Sequence, residues 1–525
     1  MMNTKNIFRG LITILWLAFA VSSCESYNEE LLDGIGNTRE FSPIGLTAKI
    51  RNSTTVELDW GVKADENPDH YVVEFSADDP EFKTIFKTIN VTPSQLPVQV
   101  ALEGETTYSI RVKSVSAAGL EDSKWSITTA TTLSEQIFFP IKDEEIQATS
   151  VTLRWTPNSN VTHILLQPGN LNHTITAEEK VAGVAVVTGL TPETNYDVTL
   201  KNGTKTRGTL QFTSGVDLTN GIIVNPGDDL NAKIAQASAG SRLLLMPGNF
   251  QTTGEVILNK TLIIRGVRPE NRPILNVKFT INSGLVNLSL MDLELKGTGL
   301  NNAAVVTVSG ASSNYGDILI TRCAIHDYTR ALIAANASNS KVASFTVDNS
   351  IVKSVNTNAG ADFIDFRNSH VASIVLKNST FDSCSTSRDF VRVDGVVPAN
   401  GGFSGTGLKT TILIQNCTLY NVSNLTAPKR ILYVRFLDNS STVMNTLIVS
   451  TSAIYTNHAA TETPAFSKNY YYTAESFMDA TIPLNKVDAT GVTANPQFVD
   501  AATGNFKVQN QSMIDNNIGD PRWLK

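Results

Sequence analysis

A motif repeats through the C-terminal half of the sequence, and it restricts the possible folds more than any other feature. Each copy is a short apolar run, a polar pair and a second apolar run: "ILITRCAIHDY" from Ile318, "FTVDNSIVKSV" from Phe345, "IVLKNSTFDSC" from Ile374, "ILIQNCTLYNV" from Ile412 and "STVMNTLIVST" from Ser441. Asn holds one place in four copies, at separations of 29, 38 and 29 residues: Asn349, Asn378, Asn416 and Asn445. An earlier copy, "LVNLSLMDLEL", has Asp292 there. Because this period lets each coil stack on the last, the repeat predicts a parallel β-helix whose Asn amides hydrogen-bond to one another.

The N-terminal third alternates apolar and polar residues over short stretches, as half-buried strands do. A first group contains "TTVELDW", "HYVVEFS" and "TYSIRVKSVSAAG", and a second group, from about Glu135, contains "SVTLRW" and "LTPETNYDVTL". Both groups resemble fibronectin type III modules, with Trp60 as a core tryptophan, Tyr108 opening a strand and Tyr196 in the place of a tyrosine corner. The resemblance implies two sandwiches that serve as spacers or binding modules.

These patterns, with only 17% charged residues and no long helical periodicity, predict an all-β chain. We expect two immunoglobulin-like (fibronectin type III) sandwiches followed by a right-handed single-stranded parallel β-helix. "DDLNAKIAQASAGSRLLLMPGNF" resembles the N-terminal cap of pectate-lyase-like β-helices. Residues 1–24 are predicted to form a signal peptide and residues 25–42 a tether. The two sandwiches are predicted at residues 43–133 and 134–215, and the β-helix with its C-terminal cap at residues 216–525.

The first residues are typical of an exported lipoprotein. Lys5 and Arg9 precede "LITILWLAFAV", which is short for a membrane span and fits a signal peptide. The following "VSSC" resembles the bacterial lipobox, which implies that Cys24 is lipidated and anchors the chain in the outer membrane. "ESYNEELLDG" resembles the acidic tether of lipoproteins that face the cell exterior. A secretory signal with an incidental cysteine is the alternative.

Charge and cysteine content exclude other classes of function. The formal net charge of −7 argues against nucleic-acid binding, which requires a basic surface. Cys323, Cys384 and Cys417 are odd in number and lack CxxC or His spacing. They are therefore expected to be buried single thiols without a disulfide or a metal role, and we identify no cofactor.

Three strands of the repeat carry charged residues inside apolar runs: "FIDFRNS" from Phe363, "FVRVDGV" from Phe390 and "ILYVRFLDN" from Ile431. Alternate side chains of a strand point to opposite faces, and corresponding strands of a solenoid stack about 4.8 Å apart. One contiguous outward set is therefore predicted: Asp365, Arg367, Arg392, Asp394, Tyr433 and Arg435. Further cations lie in the preceding turns: Arg388, Lys429 and Arg430. Residues 361–440 contain eight Lys and Arg against six Asp, a local positive excess.

Two interpretations of this outward set remain open. Arginine binds carboxylates in a planar two-point geometry, and tyrosine can lie against a sugar ring, so the set fits an acidic, pectin-like polysaccharide. Alternatively, Asp365 and Arg367 only pair with Arg392 and Asp394 across rungs, where exposed pairs contribute about 0–1 kcal/mol.

Resemblance to pectate-lyase-like and chondroitinase B-like β-helices implies a second activity, β-elimination on a uronate polymer. Arg392, Tyr433 and Arg435 are then the catalytic candidates, and Ca²⁺ is an optional cofactor. The sequence lacks the Lys and Arg motifs and the acidic calcium cluster of those lyases, and the central rungs lack the "NTD" and "DD" groups of polygalacturonase-type enzymes. His326, with Asp327, and His370 are the other catalytic candidates, although we expect each to be a loop or turn residue.

The whole pattern resembles uncharacterised surface lipoproteins of bacterial polysaccharide-utilisation systems. That resemblance implies a protein that holds a polysaccharide at the cell surface for neighbouring glycan-uptake proteins. A structural or adhesive surface protein is the third hypothesis.

Overall fold

The structure, a computed structural model, describes residues 38–63, 66–356, 360–395, 403, 405–425 and 428–525, apart from the side chains of residues 252 and 253. The predicted signal peptide, Cys24 and most of the tether lie outside these residues. The described chain is all-β, as predicted, with about 7% helix. It forms two compact units, one containing the sandwiches and the other the β-helix.

The first sandwich packs a three-stranded sheet on a four-stranded sheet, which is the fibronectin type III arrangement. The strands of the smaller sheet are, in spatial order, Ile44–Arg51, Thr55–Gly61 and Val98–Ala101. Those of the larger sheet are Lys87–Val91, His70–Ala77, Thr107–Val115 and Ser126–Thr131. Trp60 is buried and meets Tyr71 edge-on, with 5.1 Å between the ring centroids. The buried Tyr108 hydroxyl accepts a hydrogen bond from the Glu103 N–H at 3.1 Å. Trp60 is therefore a core tryptophan, and Tyr108 lies at the start of its strand, as predicted.

The second sandwich repeats this plan with fewer strands in its smaller sheet. The smaller sheet pairs strands Val184–Thr188 and Ser150–Arg154. The strands of the larger sheet are, in spatial order, Leu171–Thr174, His163–Gln167, Asn195–Asn202 and Lys205–Thr213. Its helix Ala177–Ala182 begins at a capping box in which Thr176 and Glu179 satisfy each other's backbone N–H groups. Trp155 is fully buried, and Tyr196 stacks on Phe212 at 5.6 Å.

The β-helix has three faces and about eight turns. The first face stacks ten parallel strands: Ile222–Val224, Ser241–Leu245, Leu262–Gly266, Leu288–Met291, Asn314–Thr321, Lys341–Asp348, His370–Lys377, Thr410–Gln415, Asn439–Met444 and Ala465–Ser467. The second face stacks shorter strands: Glu294–Lys296, Ala324–His326, Ile351–Lys353, Thr380–Asp382, Thr418–Tyr420, Leu447–Val449, Tyr470–Tyr472 and Val492–Thr493. The third face comprises Ala304–Val308, Ala331–Ala335, Ile364–Phe366, Val391–Val393 and Leu432–Val434. Two long strands, Asn249–Leu258 and Ile274–Ile281, begin the second and third faces together.

The recurrent Asn residues occupy the turn between the first and second faces in left-handed conformation. Their φ angles are 48°, 49°, 51° and 49° in chain order, and Asp292 has 56°. Asn and Asp tolerate this conformation better than other non-glycine residues, so backbone geometry itself explains the repeat. The predicted amide stacking also occurs, since Asn416 Nδ2 donates to Asn378 Oδ1 at 3.1 Å.

The interior of the β-helix is a continuous apolar column. Cys323, Cys384 and Cys417 lie in it as buried free thiols, as predicted. Ser350 Oγ accepts a hydrogen bond from the Cys323 N–H at 3.1 Å, so Cys323 belongs to a stack of small residues along successive rungs. Burial raises the pKa of Cys323 to about 12. The thiol therefore stays protonated at neutral pH and is unreactive as a nucleophile.

Short elements cover the first rung of the column and the outer side of its second face. Helix Leu230–Gln236 begins at Asp229, whose carboxylate accepts the Ala232 N–H, and it buries Leu230 and Ile234 on the first rung. The C-terminal segment, with helix Gln511–Asp515, packs Val508, Met513 and Ile518 on the second face. Five 3₁₀ turns complete the described chain: Pro93–Gln95, Asp143–Glu145, Glu475–Phe477, Ala501–Thr503 and Pro521–Trp523.

The expectation that His326 and His370 lie in loops or turns is wrong. His326 ends a strand of the second face, and His370 begins a strand of the first. His370 is buried between Phe403 and Phe436 and lies 3.0 Å from the Lys409 carbonyl oxygen, to which its Nε2–H donates. Polar flanking residues concealed this strand start in the sequence.

We expect the free energy of unfolding to fall as the pH drops below about 6.5, the usual pKa of histidine. Burial lowers the pKa of His370 in the fold. Between that lowered pKa and 6.5 the unfolded chain binds more protons, so acid favours unfolding. Urea unfolding of wild type and His370→Gln at pH 7.5 and 5.0 measures how steeply the free energy of unfolding changes with pH. We predict a shallower slope for the variant, and an unchanged slope would contradict this assignment.

Candidate functional site

The candidate site is built on the third face, where strands of three rungs stack in register. Asp365 lies opposite Arg392, and Arg392 lies opposite Tyr433. The flanking residues Ile364 and Phe366 belong to the apolar column, so the alternating residues point away from it, as predicted. We call the outer layer the arginine face, defined by Arg367, Arg388, Arg392, Arg430, Tyr433 and Arg435.

Four aspartates lie beneath the arginine face. Their side chains are exposed by 2%, 0%, 8% and 5%, in the order Asp362, Asp365, Asp389 and Asp394. Asp365 and Asp394 therefore point away from the column, as predicted, but the arginines cover them. These carboxylates can hold the guanidinium groups in place and are too buried to contact a polymer.

Every arginine of the face pairs with at least one of these carboxylates. Nη2 of Arg367 lies 2.7 Å from Asp365 and 2.9 Å from Asp362. Arg392 bridges two rungs, with Nη2 at 2.7 Å from Asp394 and Nη1 at 3.2 Å from Asp362. The remaining pairs are Arg388 with Asp362 at 3.4 Å, Arg430 with Asp389 at 3.0 Å and Arg435 with Asp394 at 3.0 Å. Ion pairs across rungs are thus part of the geometry, but the predicted partners are wrong, since Asp365 pairs with Arg367 and Asp394 with Arg392 within one rung.

Two arginines of the face, Arg388 and Arg435, keep N–H donors that the ion pairs do not use. Arg435 donates a hydrogen bond to Asp394 through Nε, and the nearest approach of Arg388 to Asp362 is through Nε at 3.4 Å. Their Nη atoms donate no hydrogen bond to any residue that the structure describes, and the two side chains are exposed by 36% and 29%. The solvent-facing part of the site is therefore cationic and still able to donate hydrogen bonds.

Tyr433 lies at the centre of the face and organises the guanidinium groups around it. Its ring centroid is 3.9 Å from Cζ of Arg430, 5.3 Å from Arg392 and 5.9 Å from Arg435. His458 meets the same ring edge-on at 5.2 Å. Because Arg430 stacks so closely, Tyr433 acts mainly as a cation–π support.

Burial and ion pairing shift the titration of this site in opposite directions. Burial raises the pKa of Asp365, and Arg367 partly counteracts it. Burial by itself lowers the pKa of Arg392, but Asp394 and Asp362 outweigh it, so the net shift is upward. Burial, with Arg435 and Arg430, lowers the pKa of His458. Its Nδ1 accepts the Ala460 N–H at 3.2 Å, which leaves the neutral ring with Nε2–H as a donor.

Sequence reasoning missed three members of this site: Asp362, Asp389 and His458. Asp362 and Asp389 precede their strands by two residues, and each turns back beneath the face. The recurrence of Asp two residues before both strands was a signal that could have revealed them. His458 belongs to a coil outside any strand, where the sequence has no periodic signal.

The described residues contain neither a cluster of metal ligands nor a helix that could span a membrane. No group of three or more His, Cys, Asp or Glu side chains in these ranges could hold a metal ion. None of the described helices has the length and apolar character to cross a membrane.

Comparison with known families matches two parts of the β-helix. Residues 248–384 match a family described as Domain of unknown function (DUF4957), and residues 412–523 match Domain of unknown function (DUF5123). Arg392 lies between the two matched ranges, while Asp365 lies in the first and Tyr433 in the second. No curated protein matches the chain.

Solved structures resemble part of the chain. A two-domain fibronectin type III segment of chicken tenascin is 17% identical, with a TM-score of 0.23, and the match covers 33% of this chain and 98% of that one. The FN1–FN3 domains of chicken CNTN1 are 14% identical, with a TM-score of 0.15, covering 33% and 66%. The fibronectin type III fold of the sandwiches follows from their own strand order.

Proposed function

We propose that the arginine face binds an acidic polysaccharide at the cell surface. The observation that carries this proposal is the layered charge: buried aspartates fix five guanidinium groups, while the Nη donors of Arg388 and Arg435 remain directed to no described partner. A purely structural ion-pair network gains nothing from such donors. Carboxylates of a uronate polymer accept paired N–H donors from arginine.

The geometry gives less support to β-elimination at the same face. A lyase needs a base that can take a proton from the sugar, and the Nδ1 lone pair of His458 is already occupied by the Ala460 N–H. The Tyr433 hydroxyl has no hydrogen-bonded base among the described residues that could take its proton. Arg392 and Arg435 carry guanidinium groups, which stay protonated at neutral pH beside Asp394 and so do not supply the base. Binding is therefore the function that we propose.

The test is incubation of the soluble protein, starting after Cys24, with acidic and neutral polysaccharides, with and without calcium. Retention on the polymer and ultraviolet absorbance of unsaturated products are followed together. Retention of the acidic polymers without absorbance is the expected result. Rising absorbance would make the protein a lyase, and absence of both signals would contradict the proposal.

We further infer that Cys24 carries a lipid that anchors the protein in the outer membrane, next to glycan-uptake proteins. This inference rests on the lipobox resemblance of "VSSC". Cells expressing the full chain are expected to incorporate labelled palmitate into it, and Cys24→Ala should abolish the label. Labelling that persists in Cys24→Ala would contradict anchoring at this residue.

A further inference from the structure

A polar cleft lies on the first rungs of the β-helix, on the second face. It has a volume of about 300 Å³, and its polar lining comprises Asn249, Gln251, Asn276, Glu294 and Lys296. The arginine face occupies later rungs of the third face, so the two sites share no residue. A volume of this size is at the lower end of ligand pockets in proteins.

A local irregularity of strand pairing creates the cleft. Asn249 pairs with Ile274, and Thr253 pairs with Asn276. The first strand therefore advances by four residues while its partner advances by two. Such a bulge bends the strand and changes the direction of its side chains. Asn249 and Gln251 are exposed at this bulge and form one wall.

The polar groups of the cleft are largely uncommitted. Nζ of Lys296 and the side-chain amides of Asn249 and Gln251 bond to none of the residues that the structure describes. Asn276 uses Nδ2 to donate to the Thr298 carbonyl at 2.9 Å, which leaves its Oδ1 available. The cleft thus offers amide donors and acceptors, one ammonium group and one carboxylate.

The carboxylate is held by a short chain of polar contacts. Oε1 of Glu294 lies 3.3 Å from Nε2 of His326, and Nδ1 of His326 lies 2.8 Å from Oδ2 of Asp327. The Thr298 hydroxyl donates to the same Asp327 oxygen at 3.1 Å. The His326 ring lies between the two carboxylates and donates to one of them when neutral and to both when protonated, while Oε2 of Glu294 remains open as an acceptor.

We propose that this cleft binds one or two rings of an uncharged saccharide. Sugar hydroxyls are both donors and acceptors, and side-chain amides offer both in fixed geometry. The single carboxylate and the single ammonium group balance each other, so neither an anionic nor a cationic ligand is favoured. The site is separate from the arginine face and stands independently of acidic-polymer binding.

The test uses the soluble protein after Cys24 and five uncharged disaccharides as probes: cellobiose, xylobiose, mannobiose, galactobiose and maltose. Saturation-transfer NMR followed by titration should give saturable binding of at least one of them. Asn249→Ala/Gln251→Ala should weaken it by about fivefold or more, since each lost hydrogen bond to a ligand costs up to about tenfold. Both residues are exposed, so thermal unfolding should not change.

Arg388→Ala/Arg435→Ala is the matched control, because it alters the other site alone. It should leave disaccharide binding at the wild-type level and weaken only acidic-polymer retention. Absence of saturable binding of all five probes, or binding that survives Asn249→Ala/Gln251→Ala, would overturn the assignment. Failure of acidic-polymer binding with intact disaccharide binding would remove the function proposed for the arginine face and leave the cleft assignment standing.

Discussion

Replacing Asp362 with alanine is expected to lower the free energy of unfolding of the β-helix by about 3–5 kcal/mol, the usual cost of removing one partner from a buried charge network. The Asp362 side chain is only 2% exposed and pairs with Arg367, Arg388 and Arg392. Its Oδ1 also accepts the Asp389 N–H at 3.2 Å. Its loss leaves crowded guanidinium groups without their shared carboxylate, and denaturant unfolding followed by circular dichroism measures the effect.

Asp348→Ala is the matched control for this prediction. Asp348 also lies in the β-helix, but its side chain is 26% exposed and its pair with Lys377 spans 3.5 Å. A partly exposed pair of this kind contributes about 1 kcal/mol, and the hydrogen bond that Asp348 accepts from Asn378 adds a similar amount, so the loss should stay below that of Asp362→Ala. Equal losses in the two variants would show that the carboxylates beneath the arginine face do not stabilise the fold.

The second large effect is expected on binding. Arg388→Ala/Arg435→Ala removes the two arginines with unused Nη donors, and we predict at least about tenfold weaker retention on polygalacturonate, since two charge-assisted contacts are lost. Asp362 and Asp394 keep their ion pairs with Arg367 and Arg392, so the free energy of unfolding should fall by less than in Asp362→Ala. Affinity chromatography on immobilised polymer, at several salt concentrations, gives the retention.

Two controls separate geometry from charge. Arg388→Lys/Arg435→Lys keeps both charges but loses the two-point geometry, so retention should fall between wild type and the alanine variant. Lys49→Ala/Lys83→Ala removes the same charge from the first sandwich, where both residues are exposed, and retention should be unchanged. A loss in the sandwich variant equal to that in the arginine variant would mean that overall charge controls retention.

Period and alternation predicted the fold because each rung buries one side of each strand. Ile364 and Phe366 enter the column while Asp365 points away, and a one-residue error would have reversed both. The Asn repeat was predicted correctly in place, but its main cause is the left-handed turn that Asn416 and its equivalents adopt. Sequence pattern gave the position, and only backbone geometry gave that reason.

Alternation also predicted which side chains of the site share a face, but it could not predict their depth. Asp365 and Asp394 were expected beside the arginines and lie beneath them, since long arginine side chains fold over short aspartates. Asp362 lies two residues before its strand and His458 lies in a coil, so neither belongs to the alternating positions of a strand. Strand periodicity carries no information about such segments.

Matched polymers that differ only in charge test the central claim most directly. Polygalacturonate and its fully methyl-esterified form share one backbone, and the ester removes the carboxylates that the arginine face is proposed to bind. We predict saturable retention of the wild-type protein on polygalacturonate, little retention on the ester and no unsaturated product from either polymer. Equal retention on both polymers, or retention on polygalacturonate that Arg388→Ala/Arg435→Ala leaves intact, would contradict the assignment of this face as a binding site for acidic polysaccharide.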